Sequence, residues 1–259
     1  ALRGCDPKKI LRRGAEIIDS TRLMRGKGID AAGLSINWAD LIQHKHGFTD
    51  PVPRRMEDGL SGNGVDALHG QARFTGPNTL AIEGISYQAA HFLIAAGARP
   101  RPLEFPGHEH LVDNTDFMEL PALPRRILFV GGGFISFEFA HIAARAGSTP
   151  FIVDRGPRPL KAFDPDLVEL LISRGGEVGI ELWRSTTITA IEKSRRGFRV
   201  SVERSGQSET VGFDLVVHGA GRVPELAGLN LDAAAVEWDE RGVRVSPHLQ
   251  STSNAAVYA

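Results

Sequence analysis

Between Lys8 and Arg25 the apolar residues Ile10, Leu11, Ile17, Ile18 and Leu23 recur at helical spacing, and Asp6-Pro7 suits a first turn, where proline costs no hydrogen bond. The pattern predicts a long helix beginning at Cys5. A second helix is expected from Asn37 to His46, and Thr49-Asp50-Pro51-Val52-Pro53 breaks the chain before a short polar helical segment. Past residue 65 the period shortens. The runs Ala72-Arg73-Phe74, Thr79 to Glu83 and Tyr87 to Ile94, with Gly76-Pro77-Asn78 and Gly84 between them, read as an antiparallel meander. The proline-rich stretch Gly97 to Gly107 reads as a crossover or linker between domains.

A different pattern follows. Arg126 to Val130 is a continuous apolar strand, Gly131 to Gly133 a tight turn, and Phe134 to Ala146 a helix with Phe137, Ala140 and Ala144 on one face. Thr149 to Val153 is the next strand. Strand, helix and strand in that order make a βαβ unit with parallel strands and a right-handed crossover. Thr187 to Glu192, Phe198 to Glu203 and Leu215 to His218 supply further strands, with Gly197 and Ser205-Gly206 as turns. Only one mononucleotide-binding unit reads as complete, and the fold class is α/β, Rossmann-like.

Composition narrows the partners. The 30 basic and 31 acidic residues nearly cancel, and no basic face stands out, so nothing steers the chain toward nucleic acid or an anionic membrane. No apolar run approaches the roughly 20 residues of a membrane-spanning helix, and no signal-peptide pattern is read at the start. The expectation is a cytoplasmic enzyme acting on small molecules. Cys5 is the only cysteine, which excludes an internal disulfide framework and a cysteine-rich zinc site, and His141 and His218 show no ligand pairing. No metal site is expected.

The segment Gly131-Gly132-Gly133-Phe134-Ile135-Ser136 matches the dinucleotide fingerprint G-x-G-x-x-G in its first two glycines, with Ser136 in the third place. One glycine turns the chain and one lets a pyrophosphate approach the backbone; serine is small enough to keep helix and strand in contact. A helix opening at Phe134 offers unpaired N–H groups and a positive dipole end to an anion. Asp154 ends the next strand 23 residues after Gly131, the spacing of an acid that bonds an NAD ribose. Arg155, Arg158 and Lys161 are close by and would instead hold the 2′-phosphate of NADP, so the choice between NADH and NADPH stays open.

At Gly4-Cys5-Asp6-Pro7-Lys8-Lys9 the chain resembles the redox-active segment of the class I pyridine nucleotide-disulfide oxidoreductases, the family of glutathione reductase, dihydrolipoamide dehydrogenase and mercuric reductase, whose pattern is C-x4-C before a proline-lysine helix start. Further pieces follow in the family's order: Ala95-Ala96-Gly97-Ala98-Arg99-Pro100, the glycine turn with Glu138, Gly219-Ala220-Gly221-Arg222-Val223-Pro224, and Ser251-Thr252-Ser253 through Val257-Tyr258-Ala259. The resemblance spans essentially the whole chain.

It implies FAD and NAD(P)H as cofactors, with electrons passing from NAD(P)H through flavin and a cysteine pair to a small disulfide such as glutathione disulfide or lipoamide. It divides the chain into a partial FAD domain at 1–105 with the cysteine helix, an NAD(P) domain at 106–225 inserted into it, and a return segment at 226–259, each domain with a β-meander. Cys5 matches the flavin-proximal cysteine, and a helix start would lower its thiol pKa, though Asp6 opposes this. Lys8 falls where the family has a lysine beside the flavin's reactive nitrogen, and Glu138 where it has that lysine's carboxylate partner. Phe134 replaces a tyrosine that covers the flavin. Ala72 and Gly97 resemble positions on the adenosine and pyrophosphate side of the flavin, and Gly221 and Arg222 the turn beside the nicotinamide.

The resemblance also implies what lies beyond the ends: a cysteine just before Ala1, a flavin fingerprint upstream, Gly-Asp just after Ala259, and a C-terminal domain through which the whole protein forms a homodimer. The fragment alone is expected to be inactive. The competing reading, from Asp6, Ser136 and Ala96, is a degenerate nucleotide-binding module without redox turnover.

Overall fold

The computed structural model describes residues 2–259. In chain order, helices α1 (Cys5–Leu23), α2 (Trp38–Thr49) and α3 (Val52–Gly62) precede strands β1 (Ala72–Gly76), β2 (Thr79–Ile82), β3 (Ile85–Gln88), β4 (Phe92–Leu93) and β5 (Ala98–Pro100). Then come α4 (Asn114–Phe117), β6 (Arg126–Val130), α5 (Phe134–Arg145), β7 (Thr149–Val153), α6 (Pro165–Glu177) and β8 (Glu181–Trp183). Strands β9 (Thr186–Ser194), β10 (Gly197–Arg204), β11 (Gln207–Phe213), β12 (Leu215–His218), β13 (Arg222–Pro224), β14 (Trp238–Asp239), β15 (Gly242–Val243) and β16 (Val257–Tyr258) complete the chain. They form two compact units, one of residues up to Arg54 with Pro102–Gly221, the other of Arg55–Arg101 with Arg222–Ala259.

The first unit is built on a parallel sheet of order β12-β6-β7-β8. Side chains alternate across a strand, and the sheet uses both faces. Ile127, Phe129, Ile152, Leu215 and Val217 point into one core, shared with Phe137, Phe139, Ala140 and Ile142 of α5 and with Leu11, Ala15, Trp38 and Ile42 of the first two helices. Leu128, Val130, Phe151, Val153 and Val216 point the other way, onto Ile188, Ile191, Val200, Val202 and Phe213 of the antiparallel meander β11-β10-β9. That double burial is why β6, β7 and β12 read as unbroken apolar runs.

The compact units are drawn differently from the segments 1–105, 106–225 and 226–259. Helices α1 and α2 bury their apolar stripes in the core beside the parallel sheet, and the division between units falls inside α3. Two successive crossovers, β6-α5-β7 and β7-α6-β8, stand where the sequence reading counts one complete unit. Asp164 caps α6 by accepting from Asp166 N and Leu167 N, with Pro165 at its first position, so the start signal was present in Asp-Pro.

In the second unit β1, β2 and β3 form the expected antiparallel meander. The run Tyr87 to Ile94 is not one strand: β3 ends the meander at Gln88, while β4 pairs in parallel with β16. The stretch expected to be a linker contains β5, which pairs antiparallel with β13. Phe74, Phe92, Leu226, Leu231, Val236 and Val257 form this unit's core.

Candidate functional site

Helix α1 starts at Cys5 without a side-chain cap from Gly4, and Pro7 is buried in its first turn. Cys5 is exposed, and Lys8, three residues on, is its neighbour on the helix surface. Lys8 Nζ lies 2.5 Å from Glu138 Oε2 on α5, with the two side chains 16% and 34% exposed. The same ammonium is 5.9 Å from the centroid of the Phe134 ring, at the outer limit of a cation–π contact. Phe134 is exposed and sits four residues before Glu138, so one face of α5 carries both while Phe137, Phe139 and Ala140 take the buried side. The structure thus brings together Lys8, Glu138 and Phe134, three residues named from the sequence.

At the glycine turn the backbone geometry requires glycine. Gly131 has φ +102°, and a Cβ there would lie 2.5 Å from Ala220 Cα. At Gly132 a Cβ would overlap the Asp154 carboxylate and come 2.7 Å from Pro159 Cβ. Gly133, the N-cap of α5, contributes no side-chain cap, and the first turn of the helix holds no acid, so no side chain of α5 itself competes for the N–H groups at this end. Ile135 packs against the helix core. Ser136 is fully buried, and Gly219 faces it so closely that a Cβ on Gly219 would overlap Ser136 Oγ. A glycine at the end of β12 therefore takes up the volume that the fingerprint's third glycine would save. The residues present fit a pyrophosphate: a glycine cradle closed by backbone, opening on the uncapped end of a twelve-residue helix.

Asp154 follows β7. Its N–H donates to Trp183 O at 2.8 Å, its carbonyl accepts from Thr186 N, and its Oδ1 accepts from Gly156 N at 3.0 Å. The Lys161 side chain lies across the same turn, near enough that a Cβ on Gly156 would be 3.3 Å from its Nζ. Arg155 is exposed, and Arg158 donates to Lys161 O at 3.0 Å, tying its guanidinium to the turn. Carboxylate and ammonium therefore flank one small loop. Gly221 closes the turn after β12 with φ +102°.

The second unit carries the other sequence-named residues. Ala72 opens β1 and lines a cavity of about 150 Å³ with Phe74, Phe92, Ile94, Ala95 and Leu229. Gly97 has φ +80° and its carbonyl accepts from Glu225 N at 3.0 Å. The Arg222 side chain donates to Ala98 O, holding β13 to β5.

Sequence reading missed a charged cluster where α1, α5 and α6 meet. Arg145 Nη2 lies 2.6 Å from Asp19 Oδ2, Arg174 Nη2 lies 3.4 Å from Asp19 Oδ1, and Arg145 Nη1 lies 2.6 Å from His141 Nδ1. Burial, then the neighbouring Arg145 charge, pushes the His141 imidazole down to about 4. Burial opposes ionisation of Asp19, but the hydrogen bond and charge of Arg145, with Arg174 and Arg22, outweigh it and hold the carboxyl below its usual range. The spacing of His141 and Arg145 was the only signal in the sequence, because Asp19 is 126 residues away.

The profile of the pyridine nucleotide-disulphide oxidoreductase family matches residues 2–259. The chain is 33% identical to a dihydrolipoyl dehydrogenase of Thermus scotoductus, over 99% of this chain and 56% of that protein. It is 30% identical to a glutathione reductase of Burkholderia cepacia, over 100% of this chain and 57% of that protein. Among solved structures, a HOCl-induced flavoprotein disulfide reductase, RclA of Escherichia coli, superposes with a TM-score of 0.83 at 22% identity, over 100% of this chain and 56% of that one. The chain spans about half the length of these relatives.

Proposed function

The chain belongs to the pyridine nucleotide-disulphide oxidoreductase family, whose members use FAD and NAD(P)H, and from that premise we propose that it is the electron-transfer core of an NAD(P)H-dependent flavoprotein that reduces a small disulfide such as glutathione disulfide or lipoamide. The observation that carries this reading is the ion pair of Lys8 and Glu138, which joins the cysteine helix to the helix of the glycine turn.

In this reading 1–105 and 226–259 serve the flavin, with Ala72 and Gly97 on that side, and 106–225, Arg222 included, serves the nicotinamide nucleotide. Gly131, Gly132, Gly133, Phe134, Ile135 and Ser136 form the pyrophosphate turn, with the helix dipole in place of a cationic side chain. Asp154, Arg155 and Lys161 meet the adenosine ribose, and Gly221 backs the nicotinamide. Bound FAD would accept hydride from NAD(P)H and deliver two electrons to a disulfide. Glu138 holds the Lys8 ammonium in place, and the ammonium favours negative charge developing beside it. Phe134 covers the site with an apolar ring that cannot hydrogen-bond.

Cys5 works with a second cysteine just upstream of Ala1. With both reduced, one thiolate attacks the substrate S–S bond, forms a mixed disulfide and releases one substrate thiol. The other thiol attacks that mixed disulfide, the second substrate thiol leaves, and the protein disulfide closes. The same reading makes the complete protein a homodimer.

The test uses the full-length protein. Flavin should copurify with it, and NAD(P)H oxidation with oxidised glutathione, lipoamide and mercuric ion should include at least one turnover that Cys5→Ser abolishes. Absence of any Cys5-dependent turnover overturns the reading.

A further inference from the structure

The cluster at the far end of α1 serves no step of the proposed reaction, yet it joins the same two helices as Lys8 and Glu138. Arg145, the last residue of α5, is buried, and its guanidinium holds Asp19 Oδ2 at 2.6 Å and the His141 carbonyl at 3.2 Å. Asp19 lies eleven residues after Lys8 on α1, and Arg145 seven after Glu138 on α5, so the helices run in the same direction and are pinned twice. Along α1 the pins are about 16 Å apart. Leu11, Ala15 and Ile18 lie buried between and beside them.

One pin leaves a helix free to roll about it. The apolar stripe between restrains this less sharply than a second ion pair does, because hydrophobic contact is non-directional. An arginine carboxylate pair is directional, and a second one three turns away removes the roll. Stability alone gives little reason for charge here, since apolar residues of similar volume often replace a buried pair without loss. What the charged pair adds is a single rotational setting.

We propose that Asp19 and Arg145 are positioning residues: they fix the rotation of α1 on α5 and thereby hold the Lys8 ammonium against Glu138. The consequence for electron transfer rests on the reading of Lys8 and Glu138 given above. Arg174 steadies the second Asp19 oxygen, and His141, neutral, accepts from Arg145 and keeps its guanidinium turned toward α1.

The experiment uses full-length protein carrying Asp19→Asn, which keeps the shape and one acceptor, or Arg145→Lys, each with and without Glu138→Gln. Amide hydrogen exchange is followed along α1, together with the rate at which NAD(P)H bleaches the bound flavin. Asp19→Asn should speed exchange along α1 from the turn of Lys8 onward by about tenfold. Glu138→Gln should slow bleaching by about tenfold in the parent but by only about twofold in the Asp19→Asn background, because a displaced Lys8 no longer depends on its partner. Arg145→Lys, which keeps a cation opposite Asp19, should show both effects at smaller size.

Faster exchange confined to Glu16–Leu23, or a Glu138→Gln effect of full size in both backgrounds, overturns the proposal and leaves the cluster as local structure. If no variant, nor the parent, binds a flavin that NAD(P)H bleaches, the proposed function fails. The exchange pattern then decides the clamp by itself: opening of all α1 upholds it, opening of the last turns overturns it.

Discussion

Lys8 and Glu138 are 130 residues apart in sequence and 2.5 Å apart in space. Their pairing ties the helix that begins at Cys5 to the helix that begins at the glycine turn, so the thiol and that turn share one reference.

Glu138→Gln should leave the Lys8 charge without its partner in a setting only 16% exposed. We expect a stability loss of about 1 kcal/mol, the scale of a half-shielded pair, and a roughly tenfold slower bleaching of bound flavin by NAD(P)H. Denaturant titration and anaerobic stopped-flow measure the two; an unchanged bleaching rate would separate this pair from the chemistry.

Gly131→Ala places a methyl group 2.5 Å from Ala220 Cα on a backbone with φ +102°. The turn must open, at about 1–3 kcal/mol of strain. The KM for NAD(P)H should rise at least about tenfold while circular dichroism stays near that of the parent. Equal KM values would show that the pyrophosphate does not sit on this turn.

Asp154→Asn keeps the bond from Gly156 N and removes the negative charge beside Lys161 and Arg155. Loss of that charge favours a 2′-phosphate, so the ratio of kcat/KM for NADPH to that for NADH should rise about tenfold. A ratio that does not move places the ribose elsewhere.

His141 is pushed down from 6.5 to about 4, chiefly by burial and then by Arg145. Its folded pKa lies below its unfolded one, so on acidification the unfolded chain takes up the proton first. Stability therefore falls as pH drops from about 6.5 to about 4 and levels off below, by roughly 2 kcal/mol after allowance for partial exposure. Asp19, whose pKa is lowered, loses its contribution in a separate window, below 3.8. Urea midpoints at pH 7, 5.5 and 4 should show the first slope in the parent and a smaller one in His141→Gln. Identical slopes would mean that other groups set the acid sensitivity.

The sequence by itself determined whatever depends on near neighbours. Apolar runs bounded by glycine marked β6, α5, β7 and β12 within a residue of their ends, because a strand buried on both faces has no polar position to obscure it. The spacing of Gly131, Ser136 and Asp154 marked the glycine turn and the acid beside it, and the resemblance paired Lys8 with Glu138. Only the tertiary structure decided the rest. The run from Tyr87 to Ile94 splits because β4 takes a partner more than 160 residues away, β5 hides in a proline-rich stretch because β13 supplies its partner, and Asp19 meets Arg145 across a helix crossing. Local periodicity records how a segment buries its own side chains; which distant segment it buries them against is settled by packing, where the complementary surfaces first exist.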